Sequence, residues 1–265
     1  MMGPQRMREA AGPAAGVTVV ADPTALAREA AERFAGIAAE ALARAGRFTV
    51  ALTGGSTPKL LYTLLATEPY RSRLPWPRTH VFWGDERCVP PDHKESNYRM
   101  AHEALLRHLP IPPAQIHRMR GEDPDPERAA AEYEHQLRAA FQSQAGMPPR
   151  FDLVLLGMGA DGHTASLFPH TEALREKQRW VVRNHVPKLQ AHRLTLTAPV
   201  INAGATILFL VAGDEKAAAL RDVLEGPADP GRLPAQLIRP TAGRLVWLVD
   251  RAAASRLAGR GKPAP

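Results

Sequence analysis

The segment Phe151-Asp152-Leu153-Val154-Leu155-Leu156 is an apolar run of strand length that empties into Gly157-Met158-Gly159-Ala160-Asp161-Gly162-His163. A glycine-rich turn after such a run is the arrangement by which a parallel sheet gathers its ligands, beyond the carboxyl ends of the strands. Strand-length and helix-length segments alternate around it. Strands are expected at 17–20, 48–52, 79–83, 115–119, 180–183, 193–196, 205–211 and 245–249, and helices at 24–45, from Leu60 onward, at 100–109, 126–142 and 214–224. The alternation predicts an α/β fold, an open and mostly parallel sheet with helices on both faces. No internal repeat is visible.

Chain length and charge bound the function. With 265 residues, 45% of them hydrophobic, the chain has room for one large α/β domain, expected over 17–256 between frayed tails at 1–16 and 257–265. Cys88 is the one cysteine, which excludes an intrachain disulfide and a cysteine-rich metal site. No apolar run reaches membrane-spanning length, and the first sixteen residues lack a signal-peptide apolar segment, so a cytoplasmic protein with no membrane partner is expected. The net charge of +7 invites a nucleic-acid reading, but residues 1–16 hold +1 of it and residues 251–265 hold +4. The remaining +2 is too little for a dense basic face, so a small anionic ligand is expected and nucleic acid is not.

Two further strand ends carry candidate chemistry. The strand at 48–52 runs into Thr53-Gly54-Gly55-Ser56-Thr57-Pro58-Lys59 ahead of a leucine-rich helix. Two glycines allow close backbone approach, two hydroxyls can donate, and a helix N-terminus adds unpaired N–H groups, so Gly55, Ser56 and Thr57 form a candidate phosphate site. Pro58 fits the first helical position, with Ser56 or Thr57 as the cap. A plain strand-to-helix connection explains these residues equally well, and the Walker pattern is absent. The strand at 79–83 ends in Gly84-Asp85-Glu86-Arg87-Cys88, three consecutive charges where an α/β sheet places its chemistry. Cys88, with no base near it in sequence, is expected to be inert.

The central turn formally matches the dinucleotide fingerprint Gly-x-Gly-x-x-Gly. Some twenty residues on, however, the chain reads Trp180-Val181-Val182-Arg183 where a ribose-binding acid belongs, and Pro169 comes too soon for a long helix. Acid–base chemistry by His163, with Asp161 able to orient the ring, is the alternative. No Gly-x-Ser-x-Gly elbow is present, and Asp85, Asp161 and His163 have no recognised metal-ligand spacing.

Together, Gly54-Gly55-Ser56-Thr57-Pro58, Trp83-Gly84-Asp85-Glu86-Arg87-Cys88-Val89-Pro90 with Glu95-Ser96-Asn97, and the run from Gly157 through His163-Thr164-Ala165-Ser166-Leu167-Phe168-Pro169 resemble the 6-phosphogluconolactonase family. So do Arg193-Leu194-Thr195-Leu196-Thr197, Ile201-Asn202 and Gly213-Asp214-Glu215-Lys216. The resemblance covers nearly the whole chain in order. It implies a modified Rossmann topology and hydrolysis of 6-phospho-D-glucono-1,5-lactone to 6-phosphogluconate in the oxidative pentose phosphate pathway, without metal or cofactor. It further implies Arg193 and Lys216 as a cationic clamp on the 6-phosphate, His163 as general base on water, Arg87 as a helper of the oxyanion, and Asp85 and Asp161 as orienters of histidine, water or sugar hydroxyls. Glucosamine-6-phosphate deaminases share the fold and are the nearest competitor. Their pattern has a glutamate five residues after the histidine, where this chain has Phe168. A non-catalytic sugar-phosphate sensor would need the clamp but not Asp161-Gly162-His163. A monomer or weak homo-oligomer is expected.

Overall fold

The structure is a computed structural model that describes residues 16–142, 147–240 and 242–258. In chain order the elements are β1 (Gly16–Val20), α1 (Pro23–Ala45), β2 (Phe48–Leu52), α2 (Ser56–Leu65), the one-turn α3 (Tyr70–Arg73), β3 (Thr79–Trp83), β4 (Asp85–Arg87), α4 (Asn97–Ala104), α5 (Pro126–Phe141), β5 (Leu153–Leu156), β6 (Val181–Val186), β7 (Ala191–Leu196), α6 (Ala198–Asn202), β8 (Thr206–Val211), α7 (Ala217–Glu225) and β9 (Arg244–Asp250).

Six strands form a wholly parallel sheet in the order β1-β9-β8-β5-β2-β3. Its central strands are apolar on both faces because both are covered. Leu153 and Leu155 of β5 turn towards the core that holds Phe34 and Leu61, while Val154 and Leu156 turn towards the one that holds Tyr133 and Leu220. Helix α1 supplies the first cover. Asp22 caps it by accepting from the Ala25 N–H, Pro23 opens it, and Gly46, at φ +68, closes it with an N–H to the Leu42 carbonyl. Its buried stripe of Leu26, Ala30, Phe34, Ala38 and Ala41 repeats at helical spacing, and the alanines let the helix lie close on the sheet.

The small sheet is the departure from expectation. β4, β7 and β6 pair antiparallel, with Asp85 opposite Thr195 and Arg87 opposite Arg193. The segments at 180–183 and 193–196 are strands as expected, but they leave the parallel sheet to make this second one. The segment 115–119 is not a strand. A 3-10 turn at Pro113–Gln115 runs into it, and its pairing with β3 is a single parallel bridge from Ile116 to Val81, with the His117 N–H donating to the Val81 carbonyl. Within the expected tails, Gly16 pairs with Val246 and Leu257 is buried. The rest of the expected tails, 1–15 and 259–265, lies outside the described residues.

Candidate active site

From β2 the chain crosses to β3 on one side, and from β5 it goes on to β8 on the other, so the carboxyl ends of β2 and β5 flank the point where strand order reverses. Such a point leaves a crevice free of crossover chain. A cavity of about 210 Å³ fills it, lined by Gly55, Ser56, Thr57, Asp85, Arg87, His163 and Lys216 together with Gly54, Asn97, Gly157, Met158, Gly159 and Ala165.

The turn after β2 is built for backbone approach. Gly55 stands at φ +112, a value that favours glycine, and a Cβ on Gly54 would fall 1.9 Å from Asn97 Oδ1. Gly55 is itself the N-cap of α2, with no side-chain cap bond, and Pro58 is the third helical residue. This corrects the expected cap at Ser56 or Thr57. It also leaves the Ser56 and Thr57 N–H groups without an intrahelical acceptor, at the mouth of the cavity that these residues line. From behind, the buried Tyr62 hydroxyl donates to the Thr53 carbonyl at 2.8 Å and accepts from the Thr53 N–H at 3.0 Å, which fixes the turn's root. Tyr133 clasps Trp83, just ahead of Asp85, in the same two-bond way.

After β5, a tight loop presents His163. Gly159 N–H donates to the His163 carbonyl, Gly162 N–H to the Gly159 carbonyl, and Thr164 Oγ1 to the Gly157 carbonyl. A Cβ on Gly159 would meet His163 Nδ1 at 2.1 Å, so glycine there is what lets the ring lie over the turn. His163 Nδ1 lies 2.5 Å from Asp161 Oδ1, and Lys188 Nζ lies 3.3 Å from Asp161 Oδ2. The hydrogen bond from the His163 ring, helped by the His163 backbone N–H and by Lys188, holds the Asp161 carboxyl well below the usual carboxylate range. With Nδ1 as the donor to Asp161, the tautomer that this pairing assigns leaves the Nε2 lone pair free. Phe168 stacks on the imidazole at 4.0 Å between centroids and 18° between planes.

The acid–arginine cluster divides by neighbour. Asp85 is buried and lines the cavity, accepting from Ser166 Oγ at 2.7 Å. Glu86 is turned away into scaffold work, accepting from the N–H groups of Arg87, Asn97 and Tyr98 and from Ser96 Oγ, so that it caps the start of α4. Its burial nevertheless pushes its carboxyl upward. Arg193 does not line the cavity. It stands half-buried across the β4–β7 ladder from Arg87, its guanidinium pushed down first by burial and then by that like charge. Burial pushes the Cys88 thiol up to about 11, which leaves it no thiolate near neutral pH. Among the described residues, no group of three or more His, Cys, Asp and Glu side chains could hold a metal ion, and no helix is long and apolar enough to cross a membrane.

Sequence reasoning missed Asn97, Ser166 and Lys188 as members of this site. Asn97 and Ser166 both stand inside motifs named above, but the contacts of Ser166 with Asp85 and of Lys188 with Asp161 join residues distant in sequence, and no local pattern announces those contacts.

Residues 21–247 match the family described as glucosamine-6-phosphate isomerases/6-phosphogluconolactonase. The chain is 49% identical over 218 residues to a 6-phosphogluconolactonase of Synechocystis, covering 82% of this chain and 88% of the relative. It is 45% identical over 241 residues to a 6-phosphogluconolactonase of Nostoc, covering 91% and 98%. The solved 6-phosphogluconolactonase of Trypanosoma cruzi superposes with a TM-score of 0.81 at 30% identity, over 92% of this chain and 97% of that one.

Proposed function

The chain belongs to the glucosamine-6-phosphate isomerase/6-phosphogluconolactonase family, and from that footing we propose that it hydrolyses 6-phospho-D-glucono-1,5-lactone to 6-phospho-D-gluconate, with His163 as general base. The observation that carries the choice of reaction is the pairing at His163. Its Nδ1 is taken by Asp161 and its face by Phe168, in the place where a deaminase would set a glutamate against the ring.

The substrate's dianionic phosphate binds at the open N-terminus of α2, on the Ser56 and Thr57 N–H groups and hydroxyls, with Lys216 at the cavity wall supplying the near positive charge. Arg193, outside the lining, adds a longer-range field through its place beside Arg87. Anchoring at this remote group fixes the lactone carbonyl near His163. Nε2 removes a proton from water as its oxygen attacks C1, and the charge on the imidazolium is stabilised by Asp161. The oxyanion is met by backbone N–H groups of the turn after β5 other than that of Gly159, which the His163 carbonyl holds, with Arg87 near by. Collapse breaks the bond from C1 to the ring oxygen, which takes the proton back from Nε2, and the open-chain acid leaves as the carboxylate.

We read residues 17–256 as the unit that carries this activity, in a cytoplasmic protein that is a monomer or weak homo-oligomer. The deciding assay follows loss of freshly generated lactone, above its spontaneous hydrolysis, beside ammonia release from glucosamine 6-phosphate. Lactone turnover with no ammonia is expected, and ammonia release at a comparable rate would overturn the assignment.

A further inference from the structure

Two carboxylates serve the site, and His163 uses only one of them. Asp161 holds the imidazole, whereas the hydrogen bonds of Asp85 run to Ser166 Oγ at 2.7 Å and, more weakly, to Asn97 Nδ2 at 3.4 Å. Ser166 is 1% exposed and has no freedom to serve elsewhere. Its N–H donates to Thr195 Oγ1 at 3.2 Å, and its carbonyl accepts from Asn184 Nδ2 at 2.9 Å. With both backbone groups pinned, the hydroxyl is aimed at Asp85 Oδ2. Ser166 also lies three residues after His163 in the same loop, so this one bond ties β4 to the loop that presents the base.

An Asp85 carboxylate has more acceptor sites than Ser166 and Asn97 fill, and it lines the cavity. A buried acceptor that meets a ligand there needs a donor from that ligand. A phosphate has none to offer and is repelled, while a ring hydroxyl fits. We propose that Asp85 recognises one ring hydroxyl of the lactone, and that Ser166 is the positioning residue that sets the carboxylate for it. This role rests on the lactone-hydrolase reading. It separates the two aspartates by task, one for the base and one for the sugar.

The test is steady-state kinetics on fresh 6-phosphogluconolactone and its 2-deoxy, 3-deoxy and 4-deoxy counterparts, for the wild type, Ser166→Ala and the isosteric Asp85→Asn. Ser166→Ala should raise KM for the parent lactone roughly tenfold, as for a hydrogen bond to a charged group, with kcat changed much less. The penalty should vanish on the one deoxy lactone that lacks the recognised hydroxyl, and Asp85→Asn should single out the same lactone. Equal penalties on all four lactones, a loss confined to kcat, or an unchanged KM would overturn the role. Thermal melts establish that each variant is folded, and should Ser166→Ala not fold, the Asp85→Asn pattern decides. A wild-type chain without lactone turnover would overturn the activity and this role together, whereas wild-type turnover with an indifferent Ser166→Ala would overturn this role alone.

Discussion

The ring of Phe168 lies flat against that of His163, 4.0 Å between centroids and 18° from parallel, while Asp161 Oδ1 takes Nδ1 at 2.5 Å. One face and one nitrogen of the imidazole are thus fixed, and Nε2 is the atom left for chemistry. Phe168→Leu keeps apolar volume but removes the flat plate. An aromatic contact of this kind contributes about 0.5–1.5 kcal/mol, so kcat should fall roughly two- to tenfold with KM little changed. Steady-state kinetics on fresh lactone check this, and a rise in KM alone would show that Phe168 touches substrate rather than base.

Asp161→Asn tests the other constraint. The amide can present its NH2 to Nδ1, which favours a proton on Nε2 and blocks base action. The expected loss in kcat is about 10²–10⁴-fold, with KM held within a few-fold. Binding of 6-phosphogluconate, measured by calorimetry, should survive.

Lys216 and Arg193 stand at different distances from the cavity, which makes their variants unequal. Lys216→Ala should raise KM for the phosphorylated lactone about 10–100-fold and leave unphosphorylated gluconolactone unaffected. Arg193→Ala, whose guanidinium is not in the lining, should show the same selectivity with a smaller effect. Equal losses on both lactones would remove either residue from the phosphate site.

Away from the site, His117 gives the fold an acid limit. Its Nε2 lies 3.4 Å from His80 Nδ1 and its ring stacks on Phe82 at 4.3 Å. Burial first, and His80 second, push its pKa down to about 4, from an ordinary value of about 6.5. A base whose folded pKa is lowered binds fewer protons in the folded state, so its stability contribution is whole above pH 6.5 and is lost as pH falls towards 4. Thermal melts across that window should show Tm falling with pH, and His117→Asn should flatten the slope. An unchanged slope would place the acid sensitivity elsewhere.

Much of this was legible in the residues themselves. The run 153–156 announces a buried strand because both of its faces are apolar, and Gly46 marks the end of α1 by its backbone chemistry. The loop Gly157–His163 marks a candidate site, since a glycine-rich turn there sets an acid and a histidine at the carboxyl end of a strand. The small antiparallel sheet was not legible. β4 is three charged residues, and what makes Asp85–Arg87 a strand is β7, a hundred residues later. Gly55 as the cap of α2, and Ser166 as the holder of Asp85, likewise depend on spatial neighbours that no local pattern records.

The central claim is that His163 is the base for water. His163→Gln, assayed on freshly generated 6-phosphogluconolactone with spontaneous hydrolysis subtracted, tests it most directly. A general base accounts for about 10²–10⁴-fold in rate, so kcat should fall by that factor while 6-phosphogluconate still binds. Turnover near that of the wild type would contradict the account.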